Sequence, residues 1–131
     1  MRHMIFGESH GPAIGVVLEG VPAGLELDLE QVQWELDRRR PGKDPTATAR
    51  KEADRVEVLS GLFEGKTTGA PLAMVIYNSD QRSRDYESIR YTPRPGHGDY
   101  AGFIKSRGAQ DYRGGGHFSG RLTAPLTEAG A

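Results

Sequence analysis

Residues 7–42 read GESHGPAIGVVLEGVPAGLELDLEQVQWELDRRRPG. Within them Ile14 to Val21 is apolar and rich in β-branched side chains, the composition of a buried strand. Pro22-Ala23-Gly24 turns the chain, and Asp28 then stands where an N-cap is needed, with Gln31 three residues on as a capping-box partner. Leu29, Val32 and Leu36 recur at helical spacing, so a helix is expected from about Leu29 to Arg40. Pro41-Gly42 ends it. Arg38, Arg39 and Arg40 fall in its last turn, where the negative end of the helix dipole favours cations, so all three have a structural reason to be there before any ligand is invoked.

Downstream, residues 43 to 54 carry no apolar periodicity and read as a polar loop. Val56, Val58 and Leu62 alternate along one expected strand, Gly65 to Gly69 is a turn, and Ala70 to Tyr77 is a second apolar strand, which together make a hairpin. Residues 78 to 100 are polar and broken by proline, with one short helical turn around Tyr86 to Arg90; a loop of that length in a small domain is more often functional than idle. Tyr100 to Arg107 reads as helical, the glycines at 114 to 116 break the chain, and Ser119 can cap a final helix from near Gly120 that is unfinished at Ala131.

Composition narrows the classes. A chain of 131 residues has the size of one domain and can bury roughly two-thirds of its unfolded surface. It has no cysteine, which removes disulfides, thiolate zinc sites and cysteine nucleophiles. No segment is apolar for long enough to act as a signal peptide or a membrane span, so a cytoplasmic protein without membrane association is expected. Net charge is -1, yet Glu19 to Asp37 carries six acids and no base, and Arg38 to Arg55 carries seven bases and three acids. A nucleic-acid binder of this size is usually basic overall; a local basic pocket for a small anion fits this balance better.

The stretch from Arg94 to Arg121, RPGHGDYAGFIKSRGAQDYRGGGHFSGR, concentrates the chemistry, with eight of the 18 glycines, two of the four histidines, and five Arg or Lys against two Asp. Three histidines lie beside glycine, His10 in GESHG, His97 in PGHG and His117 in GGGHF. No pair of them has the i, i+4 spacing of ligands on a helix, so proton transfer is favoured over metal binding. The GGGHFS run entering a helix offers backbone N–H groups to an anion, and Arg39, Arg94 and Arg121 can neutralise a substrate with several anionic groups. Neither a P-loop nor a dinucleotide-binding G-x-G-x-x-G is present.

Five motifs occur in order: GESHG at 7–11, DRRRPG at 37–42, N-x-D-x-x-S-x-D-Y at 78–86, RPGHGDY at 94–100 and DYRGGG at 111–116. Together they resemble the amino-terminal part of the chorismate synthase family, with residues 1–131 as part of a single domain truncated inside its last helix. The resemblance implies an α+β fold with helices packed between antiparallel β-sheets, here incomplete, which agrees with the hairpin and short helices read above. It implies a lyase of the shikimate pathway of aromatic amino acid biosynthesis. The reaction would be the anti 1,4-elimination of phosphate from 5-enolpyruvylshikimate 3-phosphate to give chorismate, with reduced FMN as cofactor, NADPH as a candidate reductant and a homotetramer as the assembly.

Carried over residue by residue, the resemblance makes His10 the proton donor near the leaving phosphate and His97 the histidine set against the flavin. It makes Arg39, Arg94, Ser119 and Arg121 substrate-binding, and places His117, Phe118 and Ser119 at the flavin. Two departures stand out. Many members read R-S-S-A-R where this chain has His117-Phe118-Ser119-Gly120-Arg121, and Pro45 stands where some have arginine, leaving Lys43 and Arg50 as substitutes. The competing expectation is a non-catalytic fragment that binds flavin or a small polyanion without turnover.

Overall fold

A computed structural model describes residues 1–39, 54–79, 87 and 90–131. Its centre is the strand expected around Ile14. Residues Ala13–Glu19 form β2, which pairs antiparallel with β1 (Arg2–Gly7) on one side and with β6 (Leu72–Tyr77) on the other. Beyond β6 lies β3 (Val56–Ser60), so the four-stranded sheet runs β1-β2-β6-β3 with every pair antiparallel. Pairing sets Ile14 against Ile76, Val16 against Met74 and Leu18 against Leu72, and all six side chains are buried. A buried strand is what the apolar, β-branched-rich run predicts.

Against that apolar face lie α1 (Leu29–Arg39) and α3 (Thr123–Gly130). Val32 and Leu36 of α1 and Ala124 of α3 close one core cluster over Ile14 and Ile76. The start of α1 is as expected: Asp28 Oδ1 accepts the backbone N–H groups of Glu30 and Gln31 at 3.0 and 3.1 Å. Its expected last residue is Arg40; Arg39 is the last helical residue described, and Arg40, the Pro41-Gly42 stop and most of the 43 to 54 loop lie outside the described residues. So does the turn expected around Tyr86 to Arg90, apart from Glu87 and Arg90.

Three elements differ from the sequence reading. The strand β1 carries no such signal, because Arg2, His3 and Met4 have no β-branched side chain, and among the described residues it pairs with β2 alone. Leu62 does not continue β3. The ladder slips between Val58 and Ser60, and Gly61, at φ 84°, passes so close to Leu72 that an added Cβ would stand 2.6 Å from its Cα. The chain then makes a separate small hairpin, β4 (Leu62–Phe63) with β5 (Lys66–Thr67). Its turn is Glu64-Gly65, both at positive φ, 49° and 77°, as a two-residue hairpin loop requires, so the expected turn at Gly65 to Gly69 is only right at its first residue.

The short helix expected at Tyr100 is α2 (Asp99–Ser106). Ser119 does cap the final helical segment: its Oγ accepts the N–H of Arg121 at 3.2 Å, starting a 3-10 turn (Gly120–Leu122) that runs into α3. The architecture is thus α+β, an antiparallel sheet with helices on one face, an incomplete portion of the layered fold that was expected. Among the described residues no helix is long and apolar enough to cross a membrane.

Candidate active site

In an antiparallel sheet of this order, β1 and β6 end where β2 and β3 begin. The GESHG turn between β1 and β2, Asn78 after β6 and Asp54 before β3 therefore meet at one end. Asn78 ties them together. Its N–H donates to Pro12 O (3.0 Å), its Nδ2 to Gly11 O (2.7 Å) and Glu8 O (3.3 Å), while its Oδ1 accepts from Arg121 Nε (3.3 Å).

The triple glycine lies across the same end. Ser9 N donates to Gly116 O at 3.1 Å, and the His117 ring, through Nδ1, donates to Gly7 O at 2.8 Å, so the GESHG turn and the glycine strip are pinned at two points. Gly114, Gly115 and Gly116 all have positive φ (58°, 88° and 54°), a conformation that L side chains rarely adopt. Space is as restrictive as conformation. A Cβ on Gly114 would stand 2.4 Å from His10 Cε1, and one on Gly115 would stand 2.6 Å from His97 Cε1. The strip lets two imidazoles, 87 residues apart in the sequence, rest on neighbouring residues. His10 is buried, its Nδ1 3.2 Å from Ser9 Oγ, and His97 is about one-third exposed.

His97 is held by a carboxylate. Its Nδ1 lies 2.8 Å from Asp99 Oδ1, which fixes the ring with Nε2 directed away from that bond. Asp99 also accepts from Arg94, at the backbone N–H (3.0 Å), Nε (2.8 Å) and Nη2 (2.9 Å). These bonds hold the Asp99 carboxyl well below the usual carboxylate range, the side-chain bond from Arg94 first among them.

The other two arginines gather elsewhere. Arg39 Nη1 and Arg121 Nη1 donate to the two oxygens of Asp54, a carboxylate only 3% exposed. Arg39 is completed by Thr123 Oγ1 (2.9 Å) and Gly120 O (3.4 Å). Its burial lowers the pKa of Arg39 from the usual guanidinium value, opposed by Asp54. The arginines that the sequence suggested as one polyanion pocket thus form two groups, Arg94 on Asp99 and Arg39 with Arg121 on Asp54.

Of the remaining candidates, Ser119 lies at the cap of the 3-10 turn, and Phe118 is about half exposed. It packs against Gly98, just before α2, and Gly102 within it, where an added Cβ would stand 3.2 Å from Phe118 Cγ and 2.7 Å from its Cε2. Lys43, Pro45 and Arg50 lie outside the described residues. Sequence reasoning missed Asp54, Asn78 and Asp99 as site residues. Asp99 carried a signal in the His-x-Asp spacing; Asp54 was lost in a stretch read as loop.

One further carboxyl borders the site. Glu128 of α3 is 2% exposed and, among the described residues, neither of its oxygens has a hydrogen-bond partner. Burial, with the charge of Asp54 adding to it and Arg121 opposing, raises its pKa from 4.5 to about 7. The folded state therefore binds this proton more tightly than the unfolded state. The contribution of Glu128 to stability is full below about pH 4.5, falls as pH rises towards 7 and is level above that, a total of about 3 kcal/mol. Urea unfolding at pH 5 and pH 8 should show this difference, and Glu128→Gln should remove most of it.

A family profile described as chorismate synthase matches residues 1–131. The chain is 61% identical over 126 residues to a chorismate synthase from a Nitratiruptor species, covering 96% of this chain and 35% of that protein. It is 58% identical over 130 residues to one from Aeropyrum pernix, covering 99% of this chain and 34% of that protein. A crystal structure of chorismate synthase superposes with a TM-score of 0.64 at 34% identity, covering 98% of this chain and 32% of that one. The chain spans about a third of the length of the curated relatives it matches.

Proposed function

Because the chain belongs to the chorismate synthase family, we propose that residues 1–131 supply one wall of an active site that eliminates phosphate from 5-enolpyruvylshikimate 3-phosphate in the complete protein. The observation that supports this most is the placing of His10 and His97 on adjacent glycines, because an elimination that expels phosphate and removes a ring hydrogen has two proton demands. His10, at the GESHG turn, is the donor to the departing phosphate. His97, held through Nδ1 by Asp99, presents Nε2 as a second proton site.

Arg39, Arg121 and Arg94 give the phosphate and carboxylates their counter-charge, with Ser119 as a further donor beside them. Reduced FMN would supply transient electron density to the ring. The donor chemistry fits such a group: an imidazole about one-third exposed, a half-exposed aromatic face at Phe118, and the hydroxyl of Ser119, with His117 alongside. These residues would hold a flat ring, with His97 Nε2 facing it as a proton site.

The test is direct. The complete natural protein, given 5-enolpyruvylshikimate 3-phosphate and reduced FMN, should form chorismate and inorganic phosphate in equal amounts, and residues 1–131 alone should form neither. Absence of phosphate release by the complete, flavin-loaded protein would sink the reading. Asp99→Asn removes the charge that both Arg94 and His97 use, so turnover should drop by about 10²-fold while the fold is kept. Turnover assays alongside circular dichroism check this.

A further inference from the structure

Asp54 has no role in the chemistry above, yet two of the three candidate substrate-binding arginines converge on it. Its side chain is 3% exposed, with Oδ2 accepting from Arg39 Nη1 at 3.1 Å and Oδ1 from Arg121 Nη1. Its backbone is fixed as well. Gln33 of α1 donates through Nε2 to Asp54 O at 2.8 Å, and its Oε1 accepts the N–H of Val56 at 3.2 Å, so the segment leading into β3 is stitched to the helix that carries Arg39. Arg121 is tied from the opposite side by Asn78, which is anchored in the GESHG turn.

Two guanidiniums repel each other, and each long side chain has rotamer freedom to lose on being ordered. One carboxylate shared between them removes most of the repulsion and fixes both forks. We propose that Asp54 is the positioning residue of the anion-binding arginines, setting the separation and orientation of Arg39 and Arg121 through its two carboxylate oxygens. This rests on the reading of those arginines as substrate-binding.

Steady-state kinetics on the complete natural protein, with 5-enolpyruvylshikimate 3-phosphate as the varied substrate, separates a positioning role from a structural one. Asp54→Asn should raise KM by about 10²-fold, the effect of misplacing binding groups by around 1 Å, with kcat within about threefold of wild type. Asp54→Glu, which restores the charge one methylene out of place, should recover KM to within about tenfold of wild type. A purely structural role predicts a lower melting temperature and less active protein with KM unchanged for both variants, and that result overturns the proposal.

Arg39→Lys and Arg121→Lys report on the reading beneath it. If neither raises KM, the arginines do not bind substrate and both ideas fall. If they raise KM and Asp54→Asn does not, only the positioning role falls. Should Asp54→Asn not fold, Arg39→Met/Asp54→Asn is compared with Arg39→Met, where one cation has already been removed. A further KM rise of about tenfold supports the role of Asp54, and equal KM values overturn it.

Discussion

Gly114→Ala should cost the complete protein about 10²-fold in kcat/KM, because a 1 Å displacement of a catalytic group has consequences of that size. The methyl would stand 2.4 Å from His10 Cε1 and 2.5 Å from its Nδ1, with Ser9 Oγ at 2.9 Å. His10 is buried, so the ring cannot swing into solvent without rebuilding the GESHG turn. The backbone adds to the effect: at φ 58° a side chain is strained, by about 1 kcal/mol or more. Gly115→Ala should act in the same way on His97, whose Cε1 would be 2.6 Å from the methyl. Gly120→Ala is the control, since its added carbon meets nothing within 4 Å and its φ is not positive. Activity close to wild type for Gly114→Ala, with a normal melting curve, would mean that His10 need not rest on the strip.

The second large effect is at the imidazoles themselves. His10→Ala and His97→Ala should each lower kcat by about 10²-fold or more, the usual contribution of a general acid or base, with little change in KM. If both serve one elimination, the double variant should lose much less than the product of the single losses, because groups that act as a unit are not additive. Phosphate release measured at saturating substrate reads this out. A kcat within about threefold of wild type for either single variant removes that histidine from the proton-transfer role.

The sequence showed the apolar elements well and the polar connections poorly. The apolar run from Ile14 to Val21, rich in β-branched side chains, declares a strand, and Asp28 with Leu29, Val32 and Leu36 declares a capped amphipathic helix, because local composition and spacing alone decide each. The slip between Val58 and Ser60 was invisible, as was the close approach of Leu72 to Gly61, since both involve a neighbouring strand. The histidines and arginines were legible from residue type and glycine company. Their partners were not: Asp54 meets Arg121 across 67 residues and Asn78 meets it across 43, and no periodicity encodes such pairings. The same holds for Gly114 and Gly115, which read as chain breakers and serve as the floor under two imidazoles.

The claim on which the rest depends is that the Gly114 to Gly116 strip brings His10 and His97 to one site. A crystal structure of the complete protein tests it at two distances. His10 Cε1 should be in van der Waals contact with Gly114 Cα, and His97 Cε1 in van der Waals contact with Gly115 Cα. Either imidazole found withdrawn from the strip, with the β1-β2-β6-β3 sheet intact, would contradict it.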